Sequence, residues 1–148
     1  MIDIKFRGQR SDTKEWVYGS LINNCWFKAG TKEPIPYILD TQAMGDVDCD
    51  SELFEELMDK GQVNPETVGQ FTGLLDADGK EIYEGDIVRS SKYIGGNYVE
   101  TIHREYEVVF QGVSFQYKPI PAAMYTVDPI GCEVKIIGNI HETPQNPK

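Results

Sequence analysis

Residues that could support catalysis are few in this 148-residue chain, and the best-placed pair of acidic groups is Glu84 and Asp86. In a strand, residues two apart share a face, so these carboxylates could act as an acid–base pair or hold Mg²⁺. The same segment also fits a bulge, in which Gly85 takes an unusual dihedral and Asp86 accepts hydrogen bonds from nearby backbone N–H groups. We expect the bulge and keep the carboxylate pair as an alternative.

Calcium and phosphate sites each lack essential residues. The run Asp46 to Asp50 resembles the start of an EF-hand loop, but the sixth and twelfth positions hold Ser51 and Leu57 instead of glycine and a carboxylate. The pair Gly79-Lys80 lacks both the upstream glycine and the following Ser or Thr of a phosphate-binding loop. We therefore expect neither site.

Cysteine and histidine residues are scattered. Their spacing fits neither a zinc site nor a disulfide framework, since the residues are Cys25, Cys49, Cys132, His103 and His141. We expect reduced cysteines in an intracellular protein. We assign no catalytic, cofactor-binding or metal-binding residue, expect no cofactor, and favour a protein that is not an enzyme.

Charge and hydropathy restrict the class of protein. The net charge is −10, which disfavours binding to a phosphate backbone, while 40% hydrophobic and 26% charged residues are typical of a globular chain. Apolar runs such as Val108–Phe110 are far shorter than the ~20 residues that span a bilayer. The first eight residues form no apolar leader segment, so we expect a cytoplasmic protein without a membrane span.

The first third of the chain is predicted to form short strands. Ile2, Ile4 and Phe6 alternate with charged residues, as in a half-buried strand, and residues 8–14 read as a loop. Further strands are expected at 16–22 and 37–39. One helix is expected at about residues 51–60, capped by Asp50 or Ser51 and ended by Gly61.

The remaining chain is predicted to be a series of strands joined by tight turns. Turns are expected at 64–65, 76–79, 95–97 and 111–112, with strand formers at 67–72, 98–110 and 113–117. Residues 118–131, with three prolines, read as a loop, and 132–137 as the last strand. This pattern predicts a small, strongly bent barrel, with a four-stranded sandwich as the rival.

Three segments carry a family resemblance. They are Ile4–Arg7 with Trp16–Gly19, Thr67–Leu74 continuing through Asp78–Val88, and Ile137–Glu142. Together they resemble the YopX family of phage and prophage proteins. The resemblance implies a phage- or prophage-derived cytoplasmic protein of no established activity, with an SH3-type barrel in its C-terminal half.

The fold class is therefore mainly β, with a C-terminal SH3-type small barrel after a β-rich N-terminal region carrying one short helix. The expected domains are the N-terminal region at 1–62, with its acidic loop and helix, the YopX-like barrel at 63–143, and a frayed tail at 144–148.

Function is expected to be protein binding by an accessory protein, the partner being a host or phage protein or a second copy of the chain. Two alternatives remain. A nucleic-acid-associated small barrel would use a basic face made of Arg89, Lys92, Arg104 and Lys118, and a small enzyme would use Glu84 and Asp86. Aromatic residues could line a binding groove but more often form core, and these are Tyr93, Tyr98, Tyr106, Phe115 and Tyr117.

Overall fold

A computed structural model describes residues 3–23, 27–40, 51–94, 100–120 and 134–142, and this part of the chain is mainly β, as predicted. The elements are β1 (Phe6–Gln9), β2 (Trp16–Ile22), β3 (Tyr37–Leu39), α1 (Ser51–Gly61), a 3₁₀ turn (Pro65–Thr67), β4 (Gly69–Leu75), β5 (Glu81–Tyr83), β6 (Asp86–Ile94), β7 (Glu100–Gln111), β8 (Ser114–Ile120) and β9 (Val134–Asn139). None of the described helices is long and apolar enough to cross a membrane.

The strands form two antiparallel sheets. One has the order β3-β2-β1-β4-β5 and the other the order β8-β7-β6-β9. No closed sheet is found among the described strands. The chain divides into two compact units, residues 1–71 and 72–148. The predicted domains at 1–62 and 63–143 stay a prediction.

In the first unit, β1 pairs with β2 and β2 with β3, while α1 packs against β3. Ile38, Leu39 and Val63 are buried in this unit. The helix prediction is confirmed, but Gly61 differs from a C-cap glycine because its φ is not positive. A Cβ at Gly61 would lie only 2.7 Å from the carbonyl oxygen of Ile38, so glycine lets the end of α1 approach β3 closely.

Two boundaries in the first unit were predicted wrongly. The first strand begins at Phe6, with Ile4 exposed at 71%, and it continues through Gly8 and Gln9, which were assigned to a loop. Strand pairing with β2 outweighs the weak local propensity of Gly8. Thr67 lies in the 3₁₀ turn instead of a strand, because its hydroxyl bonds to the backbone of Asn64.

The second unit has a core made by side chains from four strands. Ile82, Val88, Tyr106, Val108 and Val134 are buried together, and Tyr117 and Ile136 pack against them. The predicted hairpin turn is confirmed: the N–H of Asp76 donates to the carbonyl of Lys80 at 2.7 Å, and Gly79 has a φ of 81°. The strands on either side of the predicted turn at 95–97, β6 and β7, pair antiparallel, as expected for a hairpin.

Two predictions near the end of this unit were wrong. Val113 lies in the β7–β8 turn instead of a strand. Lys118 to Ile120 belong to β8. Pro119 is tolerated there because β8 is an edge strand of the described sheet, where a residue without an N–H group is accommodated. The last strand is described over Val134–Asn139, and its predicted start at residue 132 lies outside the described residues.

Several predictions lie outside the described residues. These concern Ile2, Asn24 to Trp26, the acidic run Asp46 to Asp50, the turn at 95–97 with Tyr98, the loop at 121–131, the three cysteines, and the tail at 144–148.

Candidate functional site

Asp76 connects the central segment, which we define as residues 63–88, to strand β9. Its Oδ1 accepts hydrogen bonds from the N–H groups of Asp78 at 2.9 Å and Lys80 at 2.8 Å, which hold the hairpin turn. Its Oδ2 accepts from the N–H of Ile136 in β9 at 3.1 Å. The N–H of Ala77 donates to the carbonyl of Val134 at 2.9 Å. A single buried carboxylate thus closes a turn and attaches it to β9.

The electrostatics of Asp76 agree with this structural role. Burial alone raises the pKa of its carboxyl, but hydrogen bonds from the N–H groups of Lys80, Ile136 and Asp78 outweigh burial and lower the pKa below its ordinary value of 3.8. Nearby, Lys135 forms an exposed ion pair with Asp78 at 3.4 Å. Backbone N–H groups therefore hold the carboxylate of Asp76 in its ionised form, and the carboxylate in turn gives each of them a hydrogen-bond acceptor.

The Glu84–Asp86 segment forms a second structural junction. Asp86 is 2% exposed, and its Oδ2 accepts from the N–H of Tyr83 at 2.8 Å. Gly85 has a φ of 91°; its N–H donates to Val108 at 2.8 Å and its carbonyl accepts from Ile140 at 2.9 Å.

This geometry supports the predicted structural interpretation. The register shift itself lies one residue further on, between Ile87 and Val88 of β6. Glu84 is half-buried. Because Asp86 is withdrawn from solvent, the arrangement is unfavourable for an acid–base pair that must reach a substrate.

The N-terminal segments meet the start of the central segment in the same way. Phe6 lies opposite Gly19 on one side and Gln70 on the other. The N–H of Gln9 donates to the hydroxyl of Thr67 at 2.8 Å. The guanidinium carbon of Arg7 lies 4.7 Å from the centre of the Trp16 ring. The residues that carry the family resemblance therefore make contacts that build each unit.

The predicted basic face is not uniformly positive where the structure describes it. Arg89 is paired with Glu105 at 2.8 Å across β6 and β7, and Lys118 lies opposite Glu107. Arg104 is exposed, whereas the side chain of Lys92 lies outside the description. Acidic residues of β7 thus lie opposite basic residues of β6 and β8. Among the described residues, no cluster of three metal-ligating side chains occurs.

The predicted aromatic residues serve mainly as core. Tyr106 is buried and meets Tyr117 edge to face, with ring centres 6.3 Å apart. Phe115 is half-buried, while the side chain of Tyr93 and all of Tyr98 lie outside the description. Among the described members of the set, Tyr106 and Tyr117 therefore contribute to the core of the second unit.

An apolar surface that the sequence reasoning missed lies at the end of the β7–β8 hairpin. We call residues Phe110 to Phe115 the hairpin tip. Val113 is 96% exposed, and Phe110 stacks edge to face on Phe115 with ring centres 5.0 Å apart. The available signal was charge: no Asp, Glu, Lys, Arg or His occurs between Val108 and Tyr117, in a chain where 26% of residues are charged.

A second pair of exposed apolar residues, Leu74 and Leu75, is less suited to binding. Both lie at the end of β4. Consecutive residues of a strand point to opposite faces, so these two side chains do not form one continuous patch. The hairpin tip is therefore the better candidate surface.

Comparison with known proteins gives the family. No curated protein matches the chain. Among solved structures, the crystal structure of protein EF1440 from Enterococcus faecalis matches over 98% of both chains, with 20% sequence identity and a TM-score of 0.49. A model of the YopX protein family matches residues 5–146. This match spans nearly the whole chain, which therefore belongs to the YopX family.

Proposed function

We propose that this chain is a non-enzymatic accessory protein of phage or prophage origin that acts in the cytoplasm of the bacterial host by binding another protein. The observation that carries this proposal is the exposed hairpin tip, where Val113 and the Phe110–Phe115 pair present apolar surface to solvent. Exposed apolar surface of this kind is a common sign of a protein contact.

The tip suits binding because its apolar side chains are already close together in the free protein. Phe110 and Phe115 are opposite each other in the β7–β8 register, and Val113 occupies the two-residue loop between the strands. A preformed apolar surface loses little conformational entropy when a partner covers it. Phenylalanine is also among the residue types enriched at protein interfaces.

The proposed scaffold for the tip is an SH3-type small barrel formed by the C-terminal region. The register shift in β6 supports this, because a bulge bends and twists a strand as closure requires. The anchoring of the Asp76 turn to β9 supports it as well. Complete assignment of amide contacts by NMR tests the proposal: contacts joining β8 to a further strand are expected, and an open β8 edge would contradict closure.

Affinity capture from lysogenic or phage-infected host cells tests the binding proposal. The bait is the full chain, compared with Val113→Asp, which places a charge on the apolar tip. The matched control is Ile4→Asp, because Ile4 is another exposed apolar residue and lies in the other unit. Quantitative mass spectrometry of the captured proteins is the readout.

We expect a partner that is captured by the wild type and by Ile4→Asp but is lost with Val113→Asp. Equal capture by all three baits would reject the hairpin tip as the binding surface. Circular dichroism of each bait establishes that the variants are folded, and a substitution at so exposed a position is expected to change stability by no more than about 0.5 kcal/mol.

The two alternatives have less support. A nucleic-acid-binding face would need basic residues that are not opposed by acidic ones, whereas Glu105 and Glu107 lie opposite Arg89 and Lys118. An enzyme using Glu84 and Asp86 would need an accessible Asp86, which is instead buried and hydrogen-bonded to the backbone of Tyr83.

A further inference from the structure

We propose that the partner of the hairpin tip is the hairpin tip of a second copy of this chain, so that the protein self-associates reversibly. This inference rests on the proposed function, and it names the partner of the same surface.

Val113 is unusually exposed for an apolar residue in a tight turn. Tight turns favour Gly, Asn, Asp, Ser and Pro, which either tolerate the required dihedrals or bond to the turn backbone. The second loop position here holds a β-branched apolar residue that is 96% exposed and gains no such bond. The turn itself does not require valine, and covering this side chain would remove apolar surface from water.

Two aromatic rings flank Val113 in the hairpin. Phe110 and Phe115 are opposed across the hairpin and meet edge to face, with an interplanar angle of 69°. Phe110 remains 48% exposed despite this contact. The two rings therefore form one apolar surface beside the loop, and the Val113 side chain of another copy could pack against it.

The hairpin tip carries no charged side chain, although the chain as a whole is acidic. The chain has a net charge of −10, so two copies repel each other over most of their surfaces. The run from Val108 to Tyr117 contains no acidic or basic side chain. The nearest charged residues, Glu107 and Lys118, are opposite in sign and lie across from each other. This neutral tip lets two acidic copies approach without placing like charges in contact.

Two hairpin tips could meet in a two-fold symmetric contact of small area. Most homodimers use the same patch on both subunits, related by a two-fold axis. In that arrangement, Val113 of each copy would pack on Phe110 and Phe115 of the other. Stable interfaces bury roughly 1,200–2,000 Å² in total, and a hairpin tip provides less, so the association should be weak and dependent on protein concentration.

Sedimentation equilibrium of the full chain over a wide concentration range tests the proposal. We expect Val113→Asp and Val113→Lys each to lower the association constant at least about tenfold, while Ile4→Asp leaves it within about twofold. The two charged variants separate contact from net charge. In an acidic chain, Val113→Lys would strengthen association if general repulsion alone controlled it.

Salt gives an independent readout. Because added NaCl screens repulsion between acidic copies and leaves an apolar contact intact, association of the wild type should strengthen from low to physiological salt. Association that weakens with salt would indicate a charge-mediated contact and overturn the proposal. So would undiminished association of Val113→Lys.

The capture experiment separates this inference from the proposed function. A wild type that stays monomeric at every concentration, combined with tip-dependent capture of a different protein, would overturn the second copy as partner and retain the proposed function. A monomeric wild type with no tip-dependent capture would overturn both. Self-association that both Val113 variants lower at least about tenfold supports the tip as a binding surface and the second copy as its partner.

Discussion

At the scale of single residues, the distinctive central segment is explained by hydrogen bonds to the backbone. Asp76 satisfies the N–H groups of Asp78, Lys80 and Ile136, and Asp86 satisfies that of Tyr83. These carboxylates occupy positions where buried N–H groups would otherwise lack a partner. Their importance is therefore measurable as stability instead of catalytic activity.

Replacing Asp76 should strongly destabilise the protein. Asp76→Ala removes one acceptor atom from Ile136 and another from Asp78 and Lys80, and we expect a loss of about 3 kcal/mol in the free energy of unfolding. Asp78→Ala is the matched control in the same turn, because it removes only an exposed ion pair with Lys135 and should cost less than about 1 kcal/mol. Urea denaturation measures both, and equal losses would contradict the anchoring role.

The acid sensitivity of the protein should also depend on Asp76. Its folded-state pKa lies below the ordinary 3.8, so its contribution to stability is complete above that pH and is lost as pH falls through the folded-state pKa. The difference in unfolding free energy between wild type and Asp76→Ala should thus be constant above about pH 5 and shrink below pH 3.8. Urea midpoints measured against pH provide the test, and a gap that persists to low pH would argue against it.

At the scale of elements, sequence reasoning succeeded where local chemistry decides the structure. The helix Ser51–Gly61 follows from the spacing of its apolar residues. The turns at Asn64 and Asp76 follow from side chains that bond to backbone N–H groups within a few positions. It failed where strand pairing or exposure decides. Gly8 is a strand residue because β2 pairs with it. The prolines beyond Lys118 predicted a loop, but β8 is an edge strand of the described sheet and accommodates Pro119.

The candidate surface was missed for a related reason. Alternation in the run before Gln111 placed Phe110 on the same strand face as Val108, and the same kind of pattern placed Val113 in a strand. Periodicity shows which residues share a face, but it does not show where the core ends along a hairpin. Phe110 and Val113 lie beyond the buried Val108 and are therefore exposed.

The end of α1 offers a test at this scale. Replacing glycine by alanine inside a helix usually stabilises the helix by about 1 kcal/mol. We expect Gly61→Ala to destabilise the protein instead, by about 1–3 kcal/mol, because the new Cβ would lie 2.7 Å from the carbonyl oxygen of Ile38. Asp59→Ala, an exposed substitution in the same helix, should change stability by less than about 0.5 kcal/mol. Thermal unfolding of both variants decides; a stabilised Gly61→Ala would remove the close-approach explanation.

At the scale of the whole molecule, an acidic chain carries a neutral apolar hairpin tip. The three segments that carry the resemblance to the YopX family make contacts that build the units. The tip lies outside these segments, although it lies within the residues 5–146 that the family model matches. The three segments therefore account for the scaffold, and binding is proposed for a surface that the scaffold supports. This separation explains why the most distinctive residues of the sequence suggest no reaction.

The charge of the molecule predicts poor binding to nucleic acid. With a net charge of −10 and with Arg89 and Lys118 opposed by acidic residues, the protein should not shift duplex DNA in electrophoresis at about 0.15 M salt. Arg89→Gln should behave like the wild type. Binding that weakens steeply with salt and is reduced in Arg89→Gln would instead favour the nucleic-acid alternative.

The most direct test of the account is amide hydrogen exchange, followed by mass spectrometry, on the free protein and on the complex formed at its proposed binding surface. We expect slower exchange in the complex across the hairpin tip, Phe110 to Phe115. The segment from Asp76 to Tyr83, which is held by internal hydrogen bonds, should exchange equally in both states. Protection that appears elsewhere and leaves the tip unchanged would contradict the claim that this protein binds through its β7–β8 hairpin.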